Sequence, residues 1–412
     1  MSNRWGLIGS LLIITGTAVG AGMLALPLAT AGVNFTWSVI GLIGMWFVTL
    51  VSALLMLEVT LAFKAPHNNY HTMSLKTMGR KGEIVSWISL LCLLYALCAA
   101  YVTGGASVLS EILATYANIH LPSWSGAVIF TLVIGALVFW GTQVVEWVNS
   151  GLMFVKFAAF IIAMTLLLPT INFEQLHVEA HSARYLWAAF PIFLTSFGFH
   201  PVIPSLAGYH NNNAPLLRKA IIIGSLIPLV LYIIWQFAVK GILPLSGEIS
   251  FENVSRQGGS VGQLMGAVAI LINNRTIGFV MNLFSHIALT TSFLGVSLAL
   301  FDFLQDVVEK DPAKSRRKLV ACLTFVPPLL FAIFYPQGFL LALGYAAIFV
   351  AFTCIIQPAI MAYQLRRSSE LRSSYTVAGG NIPIAFALIS GLIIIAIEIM
   401  NRFSLLPVWG LQ

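Results

Sequence analysis

The chain has 412 residues, of which 59% are hydrophobic and only 8% are charged, and its mean hydropathy is +0.92. A soluble domain carries about 25% charged residues, so this chain has too few charges to cover a surface in water, and a soluble protein is excluded. The net charge of +7 is weak support for a nucleic-acid partner, which we do not expect, and is better explained by cations in membrane-flanking loops.

A helix crosses a bilayer with about 20 mostly apolar residues, because the hydrocarbon layer is about 30 Å thick. The chain has eleven such stretches, which predicts an all-α membrane protein of eleven transmembrane helices in a single domain, 1–412. The stretches are roughly 7–32, 36–63, 84–112, 122–141, 147–170, 185–209, 216–241, 276–307, 317–335, 338–363 and 381–403.

The cations predict the orientation, because Lys and Arg are commoner in cytoplasmic loops. With the N-terminus inside, the inner segments hold fifteen of the 21 Lys and Arg residues and the outer segments hold five. The outer five are Arg184, Lys240, Arg256, Arg275 and Arg402, and one more, Lys156, lies inside the fifth stretch. The N-terminus is therefore expected in the cytoplasm and the C-terminus on the periplasmic side.

Two of the predicted helices are interrupted near their middle. The first stretch contains Gly16, Gly20, Gly22 and then Pro27, and the sixth has Gly198 among Pro191, Pro201 and Pro204. Both interruptions lie about 10–12 residues into their spans, which at 1.5 Å per residue is close to the bilayer midplane. Backbone groups freed at this depth are tolerated only where they line a cavity or are buried in protein.

Five crossings separate the two interruptions, so a five-helix unit that starts again at the sixth helix enters the membrane from the opposite side. We therefore predict an inverted repeat of 7–170 and 185–363, with an eleventh helix, 381–403, appended. Matching interrupted helices are typical of the substrate site of a secondary transporter. The alternative is that the glycines and prolines serve only close helix packing.

The ends of interrupted helices have a chemistry of their own. N-terminal ends carry partial positive charge and suit a carboxylate, whereas C-terminal ends and unwound carbonyls suit an ammonium. A free amino acid can therefore be held at both ends without a charged side chain, and nearby Phe and Tyr rings suit an aromatic one. The candidate substrate-binding residues are Gly16, Thr17, Gly20, Ala21, Gly22, Tyr95, Tyr101, Ser196, Phe197, Gly198, Phe199 and His200.

Lys156 lies about ten residues into the fifth stretch, within VKFAAFIIAM. A lysine at the bilayer centre costs roughly 2.5–3.5 kcal/mol to insert, so its presence requires a compensating role. Burial disfavours the charged form of a lysine, and a group of this kind can take up and release a proton. The alternative is a side chain that extends to the nearer interface.

Weaker candidates lie outside these features. His177 with His181, and His67 with His71, have a spacing seen in metal sites, but two ligands without a third are weak support, and we expect no metal or other cofactor. Glu58 is expected at the membrane interface. The loop 242–275 is either a cover for a gate or a solvated connector with a short helix.

Four segments carry a resemblance to a known family. They are GTAVGAGMLALPLATAG (16–32), TSFGFH (195–200), TSFLGVSLALFDFLQDV (291–307) and FYPQGFLLALGYA (334–346). Over nearly the whole chain the pattern resembles the hydroxy/aromatic amino acid permeases of bacterial inner membranes, and within them it is most similar to the tyrosine-specific permeases. The chain departs from the family at Pro201, where Gly is usual, and at Phe303, where Tyr is usual.

The resemblance implies a leucine-transporter-type, five-plus-five fold with discontinuous helices 1 and 6. It also implies a carrier rather than an enzyme, acting as a monomer in membrane lipid and importing tyrosine together with a proton. By the same resemblance Lys156 points at the carbonyls of Gly16–Gly20 and at Thr290, Thr291 or Ser292, where sodium-coupled relatives bind a cation. The alternatives are a tryptophan-selective proton symporter and a sodium-coupled amino acid carrier of the same fold, against which Lys156 argues.

Overall fold

The computed structural model describes residues 3–63, 70–120, 122–176, 183–308 and 316–407. Within these ranges every regular element is helical, with seventeen α-helices, three short three-ten turns and one π-helical segment. This confirms the predicted all-helical fold for the part of the chain that is described.

The first half of the chain forms seven helices; the first six coincide with the first five predicted spans, and the short α7 follows them. They are α1 (Asn3–Ala18), α2 (Ala21–Ala29), α3 (Phe35–Thr60), α4 (Tyr70–Ala117), α5 (Ser123–Trp140), α6 (Thr142–Leu167) and α7 (Phe173–Leu176). α4 begins well before the predicted span and is kinked at Gly79, where φ is 70°. Glycine adopts this left-handed conformation without the steric cost of a Cβ.

The second half forms ten helices, and two of them lie in the predicted loop 242–275. They are α8 (Leu186–Ser196), α9 (Ile203–Tyr209), α10 (Ala214–Ile242), α11 (Phe251–Arg256), α12 (Val261–Ile272), α13 (Arg275–Val308), α14 (Arg317–Phe334), α15 (Phe339–Val350), α16 (Gln357–Arg367) and α17 (Ile382–Arg402). The π-helical segment Ala351–Ile356 joins α15 to α16.

Nine helical segments of the described residues are long and apolar enough to cross a bilayer, and the bent pair α1–α2 makes a tenth. The remaining predicted span is α5, whose apolar part, Trp124–Trp140, is slightly too short to qualify by length. Each predicted stretch thus coincides with a helix or a broken pair, but the count of eleven crossings stays a prediction.

The centre of the molecule lies between α13, α4, α6, α10 and the broken helices. α13 packs against α4 and α6, and α10 packs against α1 and α3. Large apolar side chains also cover the outer surface, among them Leu12, Phe47, Leu132, Trp147 and Phe154. An exposed apolar surface of this extent marks a molecule whose solvent is lipid.

α12 is buried against α4 and is not a solvated connector, so that alternative is wrong for this part of the loop. Val261, Leu264 and Met265 are fully buried. The Gly262 N–H donates to Ser107 Oγ at 3.1 Å, and a Cβ on Gly262 would lie 2.3 Å from the Ser107 carbonyl oxygen. Glycine at this position therefore permits the close approach of the two helices.

Glu58, expected at the membrane interface, is instead part of a buried ion pair that joins α3 to α16. Two nitrogens of the Arg366 guanidinium donate to its two carboxylate oxygens, each at 2.7 Å. The Val377 N–H donates to the same carboxylate at 2.8 Å. A buried carboxylate requires such partners, because an unpaired charge away from water is very costly.

Candidate functional site

The two interrupted helices leave helical geometry where the sequence predicts it. α1 ends at Ala18, and α2 starts again at Ala21 with its axis bent by 50°. α8 ends at Ser196, after which three residues and the short turn His200–Val202 precede α9. The last carbonyls of α1 and α8 therefore lack further helical partners, and each helix end carries partial negative charge.

Tyr232 of α10 joins these two ends, and the sequence analysis did not select it. Its hydroxyl oxygen lies 2.6 Å from the Ala18 carbonyl oxygen and 2.5 Å from the Ser196 carbonyl oxygen, and the whole side chain is buried. A phenol has a single proton, so it donates to one of the two carbonyls at a time. The C-terminal ends of α1 and α8 thus face each other across one neutral hydroxyl.

Lys156 of α6 reaches the first interruption. Its ammonium group donates to the Val19 carbonyl at 2.7 Å and to Thr291 Oγ1 at 3.4 Å. The side chain is only 1% exposed, which rules out the alternative of a lysine extended to the interface. Within the described residues, none of the ion pairs includes Lys156, and its ammonium is surrounded by these two oxygens and by the ring of Phe157, whose centroid lies 5.6 Å away.

Ser292 of α13 contacts the start of α2. Its Oγ accepts a hydrogen bond from the Ala21 N–H at 3.1 Å, which satisfies one of the unpaired N–H groups at that helix end. A Cβ on Gly20 would lie 2.3 Å from the same Oγ. Of the three predicted hydroxyls, Thr291 and Ser292 therefore contact the interruption, whereas the bond of Lys156 goes to Thr291 and not to Thr290.

The predicted glycines differ in how closely they are packed. A Cβ on Gly22 would lie 2.9 Å from the Ser196 Cα, so α2 and α8 touch there through backbone. A Cβ on Gly16 would meet only the flexible end of Met153, at 2.4 Å, and one on Gly198 would meet only the Thr195 carbonyl oxygen, at 3.4 Å. Gly22 is thus required by packing, whereas a Cβ on Gly198 would make only an ordinary van der Waals contact.

The structure does not bring two of the predicted residues to the interruptions. The Thr17 hydroxyl is exposed and donates to the Ile13 carbonyl within α1 at 2.8 Å. The Tyr95 hydroxyl donates to the Leu323 carbonyl of α14 at 2.9 Å. As substrate-binding residues both stay predictions, because the sequence alone does not define how each helix is rotated about its axis and which way its side chains face.

The aromatic residues around the second interruption are buried. The Phe197 ring lies 5.1 Å from the ring of Tyr232, and the phenol of Tyr101 lies near that of Tyr232. Phe199 stacks on His200 at 5.1 Å. His200 is fully buried beside the backbone of Thr49, and neither of its ring nitrogens has a partner with hydrogen-bond geometry in the described residues.

Three polar side chains in the second half of α10 are spaced four residues apart. They are Tyr232, Gln236 and Lys240. The Gln236 amide donates to Thr30 Oγ1 at 3.0 Å, and the Lys240 ammonium donates to the Thr30 and Val33 carbonyls at 2.6 Å each. Because residues four apart share a helix face, this α10 stripe follows the broken helix from the end of α1 to the end of α2. The spacing in YIIWQFAVK was the signal that could have revealed it.

Lys240 was counted among the cations of the outer segments, and the structure shows that it lies in the last turn of α10 and is buried. Its side chain is 6% exposed and occupies the C-terminal end of α2, where partial negative charge favours a cation. It therefore acts as a structural cap rather than as a loop cation.

The opposite ends of the broken helices are also tied together. Ser10 Oγ of α1 and Nε2 of His210, which follows α9, lie 2.6 Å apart. Burial lowers the pKa of His210, so the ring is neutral at pH 7 and shares a neutral hydrogen bond with the hydroxyl. This hydrogen bond connects the first half of α1 to the residue that follows α9.

Only some of the weaker candidates lie within the described residues. Asp302, near the end of α13, is exposed. His71 pairs with Glu83 at 2.5 Å. His67, His177 and His181 lie outside the described residues, so the metal-like spacings are not tested.

Comparison with known proteins identifies close relatives over the full length. The model of the tryptophan/tyrosine permease family matches residues 3–398. Tyrosine-specific transport system 2 of Haemophilus influenzae is 37% identical, with 97% of this chain and 98% of the relative aligned. Tryptophan-specific transport protein of the same organism is 35% identical, with 95% of each chain aligned. Glutamine transporter 2 of Aliivibrio fischeri is 33% identical, with 95% of this chain and 99% of the relative aligned.

Proposed function

The chain belongs to the tryptophan/tyrosine permease family, and from this premise we propose that it imports an aromatic amino acid, L-tyrosine first, in symport with a proton. The family consists of transport proteins and not of enzymes. The observation that carries the proposal is the hydrogen bond from the buried Lys156 ammonium of α6 to the Val19 carbonyl, in the interruption between α1 and α2.

The two kinds of helix end supply the substrate site. The carbonyls of Ala18 and Ser196 end α1 and α8, and these negative ends suit the substrate ammonium. The N-terminus of α2, beginning at Ala21 and Gly22, suits the carboxylate. The loose packing at Gly198, together with the buried rings of Tyr101 and Phe197, suits an aromatic side chain in the proposed site.

Lys156 is the proposed coupling group. Its ammonium donates hydrogen bonds to the Val19 carbonyl oxygen and to Thr291 Oγ1. These oxygens resemble the hard ligands that a sodium ion would need. Two cations at this distance would repel strongly in a low dielectric, so a proton on Lys156 replaces sodium. Loss of that proton withdraws the cation from the carbonyls of the interruption, which links protonation to the shape of the substrate site.

The proposed architecture is the five-plus-five inverted repeat of 7–170 and 185–363 with eleven crossings, acting as a monomer in the bacterial inner membrane. The support is the break in the first helix of each predicted repeat. The excess of Lys and Arg in the inner segments supports the proposed orientation, with the N-terminus in the cytoplasm and the C-terminus in the periplasm.

Competition for uptake tests the substrate class. In cells that express the protein, unlabelled tyrosine, tryptophan and phenylalanine are expected to inhibit the uptake of labelled tyrosine, whereas leucine, lysine and glutamine at equal concentration are not. A pocket of Phe and Tyr rings offers no countercharge to a lysine side chain and no polar partners to the side-chain amide of glutamine. Strong inhibition by lysine or glutamine contradicts the proposed pocket, and stronger inhibition by tryptophan than by tyrosine identifies the tryptophan-selective alternative.

A further inference from the structure

The bridge made by Tyr232 has an unusual charge balance. The C-terminal end of a helix carries about half an elementary negative charge, and two such ends, at Ala18 and Ser196, lie within hydrogen-bond distance of one hydroxyl. A phenol supplies one proton and no positive charge. The two carbonyls therefore have one donor between them at a place where a cation is strongly favoured.

We propose that Tyr232 forms part of the binding site for the substrate ammonium and substitutes for that ammonium in the empty carrier. This inference rests on the proposed function. An ammonium has three N–H donors, and three oxygens converge here: the carbonyls of Ala18 and Ser196 and the hydroxyl of Tyr232. Since each carbonyl has two lone pairs, Tyr232 keeps its proton on one carbonyl while its oxygen accepts the third N–H of the ammonium.

The rest of the α10 stripe holds Tyr232 in position. Gln236 and Lys240 bond to Thr30 and Val33 at the far end of α2, and together they fix how α10 lies along the broken helix. The ring of Phe197 packs on Tyr232 at 5.1 Å. The hydroxyl is therefore held at the meeting point of the two helix ends rather than free to turn elsewhere, and the site for the ammonium is preorganised.

Substrate analogues that lack one charged group test this role in Tyr232→Phe. Hydroxyphenylpropionate lacks the ammonium of tyrosine, and tyramine lacks its carboxylate; each is used to inhibit the uptake of labelled tyrosine. In the wild-type protein, unlabelled tyrosine inhibits uptake more strongly than hydroxyphenylpropionate by a certain factor. In the variant this factor is expected to fall about tenfold, equivalent to about 1.4 kcal/mol. The factor by which it outcompetes tyramine stays unchanged, because both ligands carry the ammonium. Indolepropionate and tryptamine serve the same purpose if tryptophan is the substrate.

Tyr70→Phe is the matched control, because it also removes a buried hydroxyl. The Tyr70 hydroxyl has no hydrogen-bond partner in the described residues, so both factors should stay at their wild-type values. An unchanged hydroxyphenylpropionate factor in Tyr232→Phe overturns the proposal. A parallel fall of both factors overturns it as well, since it indicates a general structural role. If tyrosine and tryptophan fail to compete in the wild-type protein, the proposed function itself is wrong, so the two failures are distinguishable.

Discussion

Lys156→Met is expected to reduce the accumulation of substrate from about fifty-fold to about one-fold. One charge moved across 100 mV is worth about 2.3 kcal/mol, and about 1.36 kcal/mol corresponds to a factor of ten, which together allow the fifty-fold ratio. Without the coupling proton this energy is no longer available. Exchange of labelled for unlabelled substrate across the membrane should persist, because exchange requires no net movement of protons.

Lys156→Arg is expected to fail in the same way, although it keeps the positive charge. A guanidinium stays protonated throughout the physiological pH range, so it cannot release the proton that the cycle requires. The assay compares uptake driven by an imposed proton gradient, with and without an uncoupler, with counterflow exchange.

Lys240→Met provides the comparison for Lys156→Met. Within the described residues, Lys240 is also a buried lysine that donates to backbone carbonyls, those of Thr30 and Val33 after α2. Its loss removes a helix cap and is expected to lower the rate, but the remaining uptake should still collapse when the uncoupler is added. If Lys156→Met still concentrates substrate in an uncoupler-sensitive manner, the proton is carried by another group.

Gly22→Ala is expected to lower uptake at least tenfold, and Gly22→Leu to abolish it, while both proteins still insert into the membrane. A Cβ at this position lies 2.9 Å from the Ser196 Cα and 3.0 Å from its Oγ. Backbone cannot yield as a flexible side chain does, so α2 and α8 must separate, and small displacements at a binding site have large kinetic effects.

Gly9→Ala is the matched control for this substitution, because Gly9 lies on α1 and a Cβ there meets nothing within 4 Å. Its uptake should equal that of the wild-type protein. Equal uptake by Gly22→Ala and Gly9→Ala would mean that the close contact between the two broken helices has no part in transport.

The helices and their interruptions are predictable from sequence because their causes are local. An apolar run of about 20 residues specifies a span, and glycines clustered around Gly20, or prolines around Gly198, specify where helical hydrogen bonding stops. The same local information does not give the rotation of a helix about its axis. Thr17 was selected because it adjoins the first interruption and Tyr95 as an aromatic residue of the third predicted helix, and their hydroxyls bond to the Ile13 and Leu323 carbonyls.

The residues that sequence reasoning missed form contacts between distant parts of the chain. Tyr232 bonds to Ala18, 214 positions away, and Glu58 pairs with Arg366, 308 positions away. A tyrosine in an apolar helix is indistinguishable from a packing residue until its backbone acceptor is known. Those acceptors exist only because α1 and α8 stop in the middle of the molecule, so the significance of Tyr232 follows from the fold.

Uptake by the purified wild-type protein in liposomes tests the central claim most directly. Labelled tyrosine and tryptophan are offered under an imposed proton gradient, under an imposed sodium gradient, and under each with an uncoupler. Proton-coupled symport predicts accumulation with the proton gradient alone, abolished by the uncoupler and independent of sodium. Accumulation driven by the sodium gradient and insensitive to the uncoupler would contradict it.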